Sequence, residues 1–166
     1  AQLTFLSLFA VGQSYYAAET YPASAQAIEA AVARLGDSPT IEGAANAYFL
    51  LGWLYQVFLP DNALALVYYT RALELNPMYA EVYNCRGVIY ADMGEYVKAL
   101  ADFTYQLELT PEDAEAYNNR GIIHYFMGNY DEALVDYNRA LELDPEDAVT
   151  YNNRGIFYAN IRQYNK

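Results

Sequence analysis

The chain has 166 residues, 55% of them apolar, which excludes a disordered protein. Its 21 acidic residues outnumber 9 basic ones and give a formal net charge of −12, so we expect neither nucleic acid nor an anionic membrane surface as a partner. The chain begins at Ala1 without a methionine, which suits a processed precursor and a cut fragment equally. The lone Cys85 excludes an internal disulfide and leaves a processed extracellular or periplasmic location and a cytoplasmic one equally open.

Residues 1–44 are predicted to form a divergent helical hairpin or cap. The apolar run Leu3–Gly12 is too short to span a bilayer and lacks a basic flank, so we predict a core helix without membrane insertion. YPASA, at 21–25, is the predicted turn. The residues after it keep a twelve-residue step from Ala27 to Pro39 that recurs later in the chain.

From residue 45 onward the sequence repeats with a step of 34. The repeated positions are Gly87, Gly121 and Gly155, and Pro77, Pro111 and Pro145. Such a step is typical of repeat proteins. The predicted units are 45–79, 80–113, 114–147 and a half-repeat, 148–166. The first unit has one additional residue between its glycine and its alanine, and we predict that LPDN, at 59–62, contains it.

Each unit is predicted to contain two helices. TPED at Thr110 and DPED at Asp144 supply an N-cap, a proline for the first helical position and acids for the first turn. About fifteen residues later, MGEY and MGNY place a glycine where a helix ends. Apolar residues at helical spacing then predict the second helix.

With these residues at these offsets, residues 45–166 resemble the tetratricopeptide repeat family. The matching positions in one unit are Tyr117, Gly121, Tyr130, Ala133, Tyr137, Ala140 and Pro145. The resemblance implies an all-α fold, a right-handed solenoid of antiparallel helical hairpins whose first helices line a concave groove. It also implies a non-enzymatic scaffold that binds a peptide or helix of another protein in that groove.

An arginine before the repeat glycine departs from the family, which usually has an apolar residue there. Arg86 and Arg120 each have an aspartate sixteen residues later, Asp102 and Asp136. The unit with Leu51 in place of the arginine has a tyrosine in place of the aspartate. We therefore predict structural salt bridges between the two helices of each hairpin, in preference to catalysis or anion binding.

Amide, apolar and aromatic side chains are predicted to line the peptide-binding groove. These residues are Phe49, Trp53, Asn84, Asn118, Asn119, Ile122, Tyr125, Phe126, Asn152 and Asn153. Amides can hold a peptide backbone, and the pattern is similar to the asparagine ladder of the O-linked N-acetylglucosamine transferases, which Leu50 and Cys85 interrupt here. In the alternative, the asparagines hydrate an open face or bond to the next helix.

Neither catalysis nor a metal or cofactor site is predicted. His124 stands where the family has a packing tyrosine, and the sequence contains neither a phosphate loop nor a cluster of histidines and cysteines. Glu81 and Glu115 occupy positions where family members that bind chaperone tails need cations. The expected partner is therefore a protein or peptide, but not an acidic chaperone tail.

Both ends of the chain suggest an alternative, a structural subunit that self-assembles head to tail into a filament or oligomer. Solenoids need polar caps, whereas the first and last helices here are apolar over much of their surface. The residues predicted to make this contact are Leu3, Phe5, Phe9, Phe157 and Ile161. Such a contact is heterologous and stays open unless its rotation closes a ring.

Overall fold

The structure is a computed structural model that describes residues 5–34 and 43–164. In these two ranges the chain forms α-helices and one π-helical turn but no strand, so the expected all-α fold is confirmed. The helices are α1 (Phe5–Ala17), α2 (Tyr21–Val32), α3 (Ala44–Trp53), α4 (Asn62–Leu75), α5 (Ala80–Asp92), α6 (Tyr96–Leu109), α7 (Ala114–Phe126), α8 (Tyr130–Leu143) and α9 (Ala148–Tyr164).

The helices form two compact units, Ala1–Val82 and Tyr83–Lys166, whose boundary lies within α5. In the first unit α1 packs on α2, α2 on α3 and α3 on α4. One buried cluster joins these helices: Phe5, Ala25, Ile28, Ala31, Ala44, Ala47, Leu51 and Leu54. YPASA does not form the predicted turn, because Pro22 stands at the start of α2, where its fixed backbone angle favours a helix. Residues 18–20 connect α1 to α2 instead.

The additional residue of the first repeat lies within its first helix. A π-helical turn, Leu54–Phe58, continues α3, and three residues then connect it to α4. The α5 to α6 and α7 to α8 connections also have three residues, so the extra residue is not in LPDN as predicted. A π-turn accommodates one more residue without a break in the helix.

In the second unit, α6 packs on α7, α7 on α8 and α8 on α9. Glycines bring the first helix of a hairpin close to an aromatic ring of the second. An ideal Cβ at Gly87 would lie 2.9 Å from Cε1 of Phe103, and one at Gly121 would lie 3.0 Å from Cε1 of Tyr137. The distance at Gly87 is shorter than real Cβ contacts, and the one at Gly121 is tighter than most of them, so close packing favours glycine at both positions.

The helix starts differ from the prediction. Asp113, not Thr110, caps α7, and its carboxylate accepts a hydrogen bond from the amide of Ala116 at 3.1 Å. Asp147 does the same for α9, with amide hydrogen bonds from Val149 at 2.9 Å and from Thr150 at 3.2 Å. Thr110 instead ends α6, where its hydroxyl donates to the carbonyl of Gln106.

Gly87→Ala and Gly155→Ala should change stability in opposite directions. At Gly87 the new methyl group meets the Phe103 ring, so we expect a loss of about 1–3 kcal/mol in the free energy of unfolding. At Gly155 nothing lies within 4 Å, so the helix propensity of alanine should add about 0.5–1 kcal/mol. Urea denaturation measures both, and equal effects of the two substitutions would contradict this packing.

Candidate functional site

Two of the arginines that precede a repeat glycine, Arg86 and Arg120, each make two hydrogen bonds to an aspartate of the second helix. Nε and Nη2 of Arg86 lie 2.8 and 2.7 Å from the carboxylate oxygens of Asp102. Arg120 and Asp136 repeat the same distances. The aspartates are only 5% and 4% exposed. The structure thus brings together both predicted pairs, and the arginines are held within their hairpins.

A tyrosine three residues before each arginine contacts its guanidinium. The guanidinium carbon of Arg120 lies 5.5 Å from the ring centre of Tyr117. That of Arg154, the residue before Gly155, lies 5.4 Å from the ring centre of Tyr151. Such contacts are attractive because the ring face is electronegative. The side chain of Arg154 donates to Asn138 at 2.7 Å, so its partner is a neutral amide.

In the repeat 45–79, tyrosines replace the ion pair. Tyr68 stands where the aspartate would be, and its hydroxyl donates to Oε1 of Glu29 at 2.9 Å. Tyr55 donates to the same oxygen at 2.7 Å. Burial, together with the bond to Glu29, raises the pKa of Tyr55 to about 12 and raises that of Tyr68 as well. Both hydroxyls therefore stay protonated donors at neutral pH.

Asparagines connect the first helices of successive repeats. Nδ2 of Asn119 donates to Oδ1 of Asn84 at 3.2 Å, and Nδ2 of Asn153 donates to Oδ1 of Asn118 at 3.0 Å. Asn118, predicted as a groove residue, is only 5% exposed, because its side chain lies between α7 and α9 and accepts the bond from Asn153. Asn152 is exposed. The alternative, a bond to the next helix, describes the other amides.

An apolar cleft of about 230 Å³ lies in the second unit. We call it the apolar cleft. It is lined by Ile122, Tyr125, Phe126, Tyr137, Asn153, Ile156 and Phe157. Phe126 and Ile156 are 57% and 49% exposed. Phe126 stacks on Tyr96 with ring centres 5.4 Å apart, and the hydroxyl of Tyr125 accepts a hydrogen bond from Asn160 at 2.7 Å. These contacts hold the walls in place before any ligand binds.

A second cleft, of about 420 Å³, lies beside the amide pair. We call it the polar cleft. It is lined by Ala114, Glu115, Asn118, Asn119, Asp144, Asp147 and Val149. Hydrogen bonds from Thr150 and from the amide of Val149 lower the pKa of Asp147, so its carboxylate is ionised at neutral pH. Sequence reasoning missed Asp144 and Asp147 as cleft residues, because DPED was interpreted only as a helix start.

The predicted groove residues of the first unit pack within that unit. The ring of Trp53 lies 5.5 Å from that of Tyr16 and 5.2 Å from that of Phe58, while Phe49 lies 5.2 Å from Tyr79. Both Phe49 and Trp53 are half-buried by these aromatic neighbours.

The predicted self-association residues are largely covered by the chain itself. Phe5 is 6% exposed and stacks on Phe9, and Phe157 is 3% exposed. Ile161 packs on the cluster that contains Phe157. Phe5 and Phe157 were predicted as contact residues, but neighbouring helices enclose both rings and leave little of either for a second copy. Leu3 lies outside the described residues.

Neither metal ligation nor a membrane span is found in the described part of the chain. No group of three or more histidine, cysteine, aspartate or glutamate side chains there could hold a metal ion. His124 is half-buried, with Nε2 at 3.9 Å from Oδ2 of Asp136. No helix among residues 5–34 and 43–164 combines the length and apolar character of a bilayer crossing.

Three family models match the chain. Two described as "Tetratricopeptide repeat" match residues 114–147 and 136–166, and one described as "TPR repeat" matches residues 61–94. None of them describes a catalytic domain. No curated protein matches the sequence.

Several solved structures are similar. YrrB, a TPR protein with an unusual peptide-binding site, is 25% identical, with 91% of this chain and 74% of that chain covered and a TM-score of 0.78. A tetratricopeptide repeat protein from Parabacteroides merdae is 22% identical, with 97% and 61% covered and a TM-score of 0.85. The first TPR of Spaghetti (RPAP3), bound to the HSP90 peptide SRMEEVD, is 21% identical, with 75% and 98% covered and a TM-score of 0.69.

The Arg120–Asp136 pair should show strong coupling. Arg120→Leu leaves a buried carboxylate without its partner, so we expect a loss of about 3 kcal/mol in the free energy of unfolding. In a double-mutant cycle with Asp136→Leu, the coupling energy should be about 1–3 kcal/mol. Arg154→Leu is the control, because its partner Asn138 is neutral and exposed, and it should cost less than about 1 kcal/mol. Additive effects at Arg120 and Asp136 would refute a structural ion pair.

Tyr137, in the wall of the apolar cleft, should make the chain sensitive to alkaline pH. Burial, with Tyr125 and Asp136 adding to it, raises the pKa of Tyr137 from 10.0 to about 12. Since the folded state holds this proton more tightly, the associated stability is complete below pH 10 and is lost as the pH rises to about 12.

Tyr137→Phe removes this titration. Between pH 10 and 12, its free energy of unfolding should fall less steeply than that of the wild type. Urea denaturation at a series of pH values measures the slope. Tyr151→Phe, at an exposed position, is the control, and an unchanged slope in Tyr137→Phe would rule out the proposed contribution.

Proposed function

The chain belongs to the tetratricopeptide repeat family, and we propose that it is a non-enzymatic scaffold that binds a short segment of another protein at the apolar cleft. The observation that carries this proposal is the exposure of Phe126 and Ile156 on opposite helices of a cleft with fixed walls. Exposed apolar side chains around a depression are typical of protein interaction sites.

The size of the cleft favours side chains of a protein segment over a free small molecule. Its volume of about 230 Å³ is below the range of about 300–1,000 Å³ in which small-molecule sites occur. One or two apolar side chains fill such a space and act as anchors for a segment that continues along the surface.

The similar structures support a segment as the ligand. YrrB is described with a peptide-binding site, and the Spaghetti domain is bound to an HSP90 peptide. In this chain Glu115 is exposed at a position where the resemblance implies a cation in chaperone-tail binders. We therefore propose a ligand other than an acidic tail.

Self-association through α9 is the second candidate, and exposed apolar side chains on that helix favour it. Tyr151 and Tyr158 are 48% and 44% exposed and do not line the apolar cleft. A contact through these rings would join copies head to tail. Light scattering of the wild type and of Tyr158→Asp tests this candidate. If the chain self-associates through α9, the wild type should form polymers and Tyr158→Asp should not.

Substitutions in the apolar cleft should weaken segment binding. Peptides selected from a random display library on the full chain supply the probes, with Kd measured by calorimetry. Phe126→Ala and Ile156→Ala should each weaken binding at least about tenfold, as anchor sites do. Val135→Ala, at a residue of α8 that is 66% exposed, is the control and should change Kd less than about twofold.

Two results would count against the apolar cleft as the binding site. One is selected peptides whose Kd is unchanged in Phe126→Ala and Ile156→Ala. The other is a library from which no peptide is recovered on the correctly folded chain.

A further inference from the structure

We propose that the segment is basic as well as apolar, with one apolar side chain in the apolar cleft and a lysine or arginine in the polar cleft. This inference rests on the proposed function and adds the chemical class of the partner and the spacing of its two anchors. Its basis is the position of the two clefts on the same helices and the charge of the second.

The two clefts are neighbours along the same pair of helices. Asn153 lines the apolar cleft and donates at 3.0 Å to Asn118, which lines the polar cleft. The amide pair therefore separates them, and a segment that occupies one cleft lies next to the other.

Sequence spacing sets the distance between the two anchors. On α7, Glu115 of the polar cleft precedes Ile122 of the apolar cleft by seven residues, and on α9 Val149 precedes Ile156 by seven. Seven residues are two helical turns, so each pair lies on one helix face about 10 Å apart. An extended peptide covers this distance in about three residues.

The polar cleft has the charge that a cation needs. Glu115, Asp144 and Asp147 line it, and its other lining residues are neutral. One oxygen of Asp144 accepts from the amide of Glu146 at 3.1 Å, and a carboxylate has further lone pairs for a ligand. The formal net charge of −12 also attracts basic segments and repels acidic ones.

The apolar cleft supplies the part of the recognition that charge cannot. Exposed ion pairs contribute little and are screened by salt, whereas an apolar side chain in a fixed cleft removes surface from water. The anchor therefore provides most of the affinity and the basic residue provides the selectivity.

The test uses the full chain and a matched set of fluorescent peptides in calorimetry and anisotropy. The first peptide has a phenylalanine and, three residues away, a lysine in a glycine-serine background, made in both chain directions. In the other three, serine replaces the lysine, glutamate replaces the lysine, or serine replaces the phenylalanine. We expect the lysine peptide to bind about threefold to tenfold more tightly than the peptide with serine in place of lysine. Among the three peptides that keep the phenylalanine, the one with glutamate should bind most weakly.

Variants of the chain assign the effect to the polar cleft. Glu115→Gln combined with Asp144→Asn should remove the preference for lysine and leave the serine peptide unchanged. Glu132→Gln, at an exposed acid of α8 outside both clefts, is the control and should keep the preference. Asp147 stays unchanged, because it caps α9.

The outcomes separate this inference from the proposed function. If the lysine, serine and glutamate peptides bind equally and Phe126→Ala weakens all three, the apolar cleft binds segments but the basic class is wrong. If no phenylalanine peptide binds the folded chain, both proposals fail. If the chain forms a dimer that Phe126→Ala dissociates, the occupant is a second copy, and the basic segment is excluded.

Discussion

The close contact between a glycine and an aromatic ring is the constraint on which each complete repeat depends. At Gly52, Gly87 and Gly121, an ideal Cβ would lie 2.5 to 3.0 Å from the ring of Tyr69, Phe103 or Tyr137. The residue before the glycine and the residue before the ring then face each other, and they are the arginine and the aspartate in both pairs of the second unit. Helix packing therefore sets the geometry of the ion pair. Desolvation offsets much of the attraction within the pair, so we expect it to fix the alignment of the two helices more than it stabilises the fold.

The first repeat indicates how strong this constraint is. It contains one residue more, and the chain absorbs it as the π-helical turn Leu54–Phe58, which comes after Gly52. The ring of Tyr69 still meets that glycine, and its hydroxyl donates to Gln56 at 2.7 Å, within the π-turn. Where the ion pair is missing, Tyr68 takes the place of the aspartate and finds a carboxylate in Glu29. The contact between glycine and ring thus recurs in all three repeats, while the polar side chains beside it differ.

Spacing along the sequence was enough to predict the helices and the two ion pairs, because both depend on residues at regular offsets within one hairpin. It could not predict which side chains neighbouring helices cover. Phe157 lies among Tyr125, Tyr130 and Tyr137, and Asn118 lies between α7 and α9, so both are buried by elements that are distant in sequence. Local competition explains the helix starts: in DPED either aspartate can act as a cap, and only the structure selects Asp147.

The amide pairs limit what the first helices can offer to a ligand. Each bond between Asn118 and Asn153 or between Asn84 and Asn119 uses polar groups that would otherwise hold a peptide backbone. A ligand that competed for them would have to break a half-buried bond, and an unpaired buried amide costs about 1–3 kcal/mol. Side chains, by contrast, can enter the apolar and polar clefts without disturbing these bonds. Tyr96 and Asn160 already hold the walls of the apolar cleft in place, so the walls lose little entropy when a ligand side chain binds. The proposed recognition through side chains at two clefts therefore leaves the amide bonds intact.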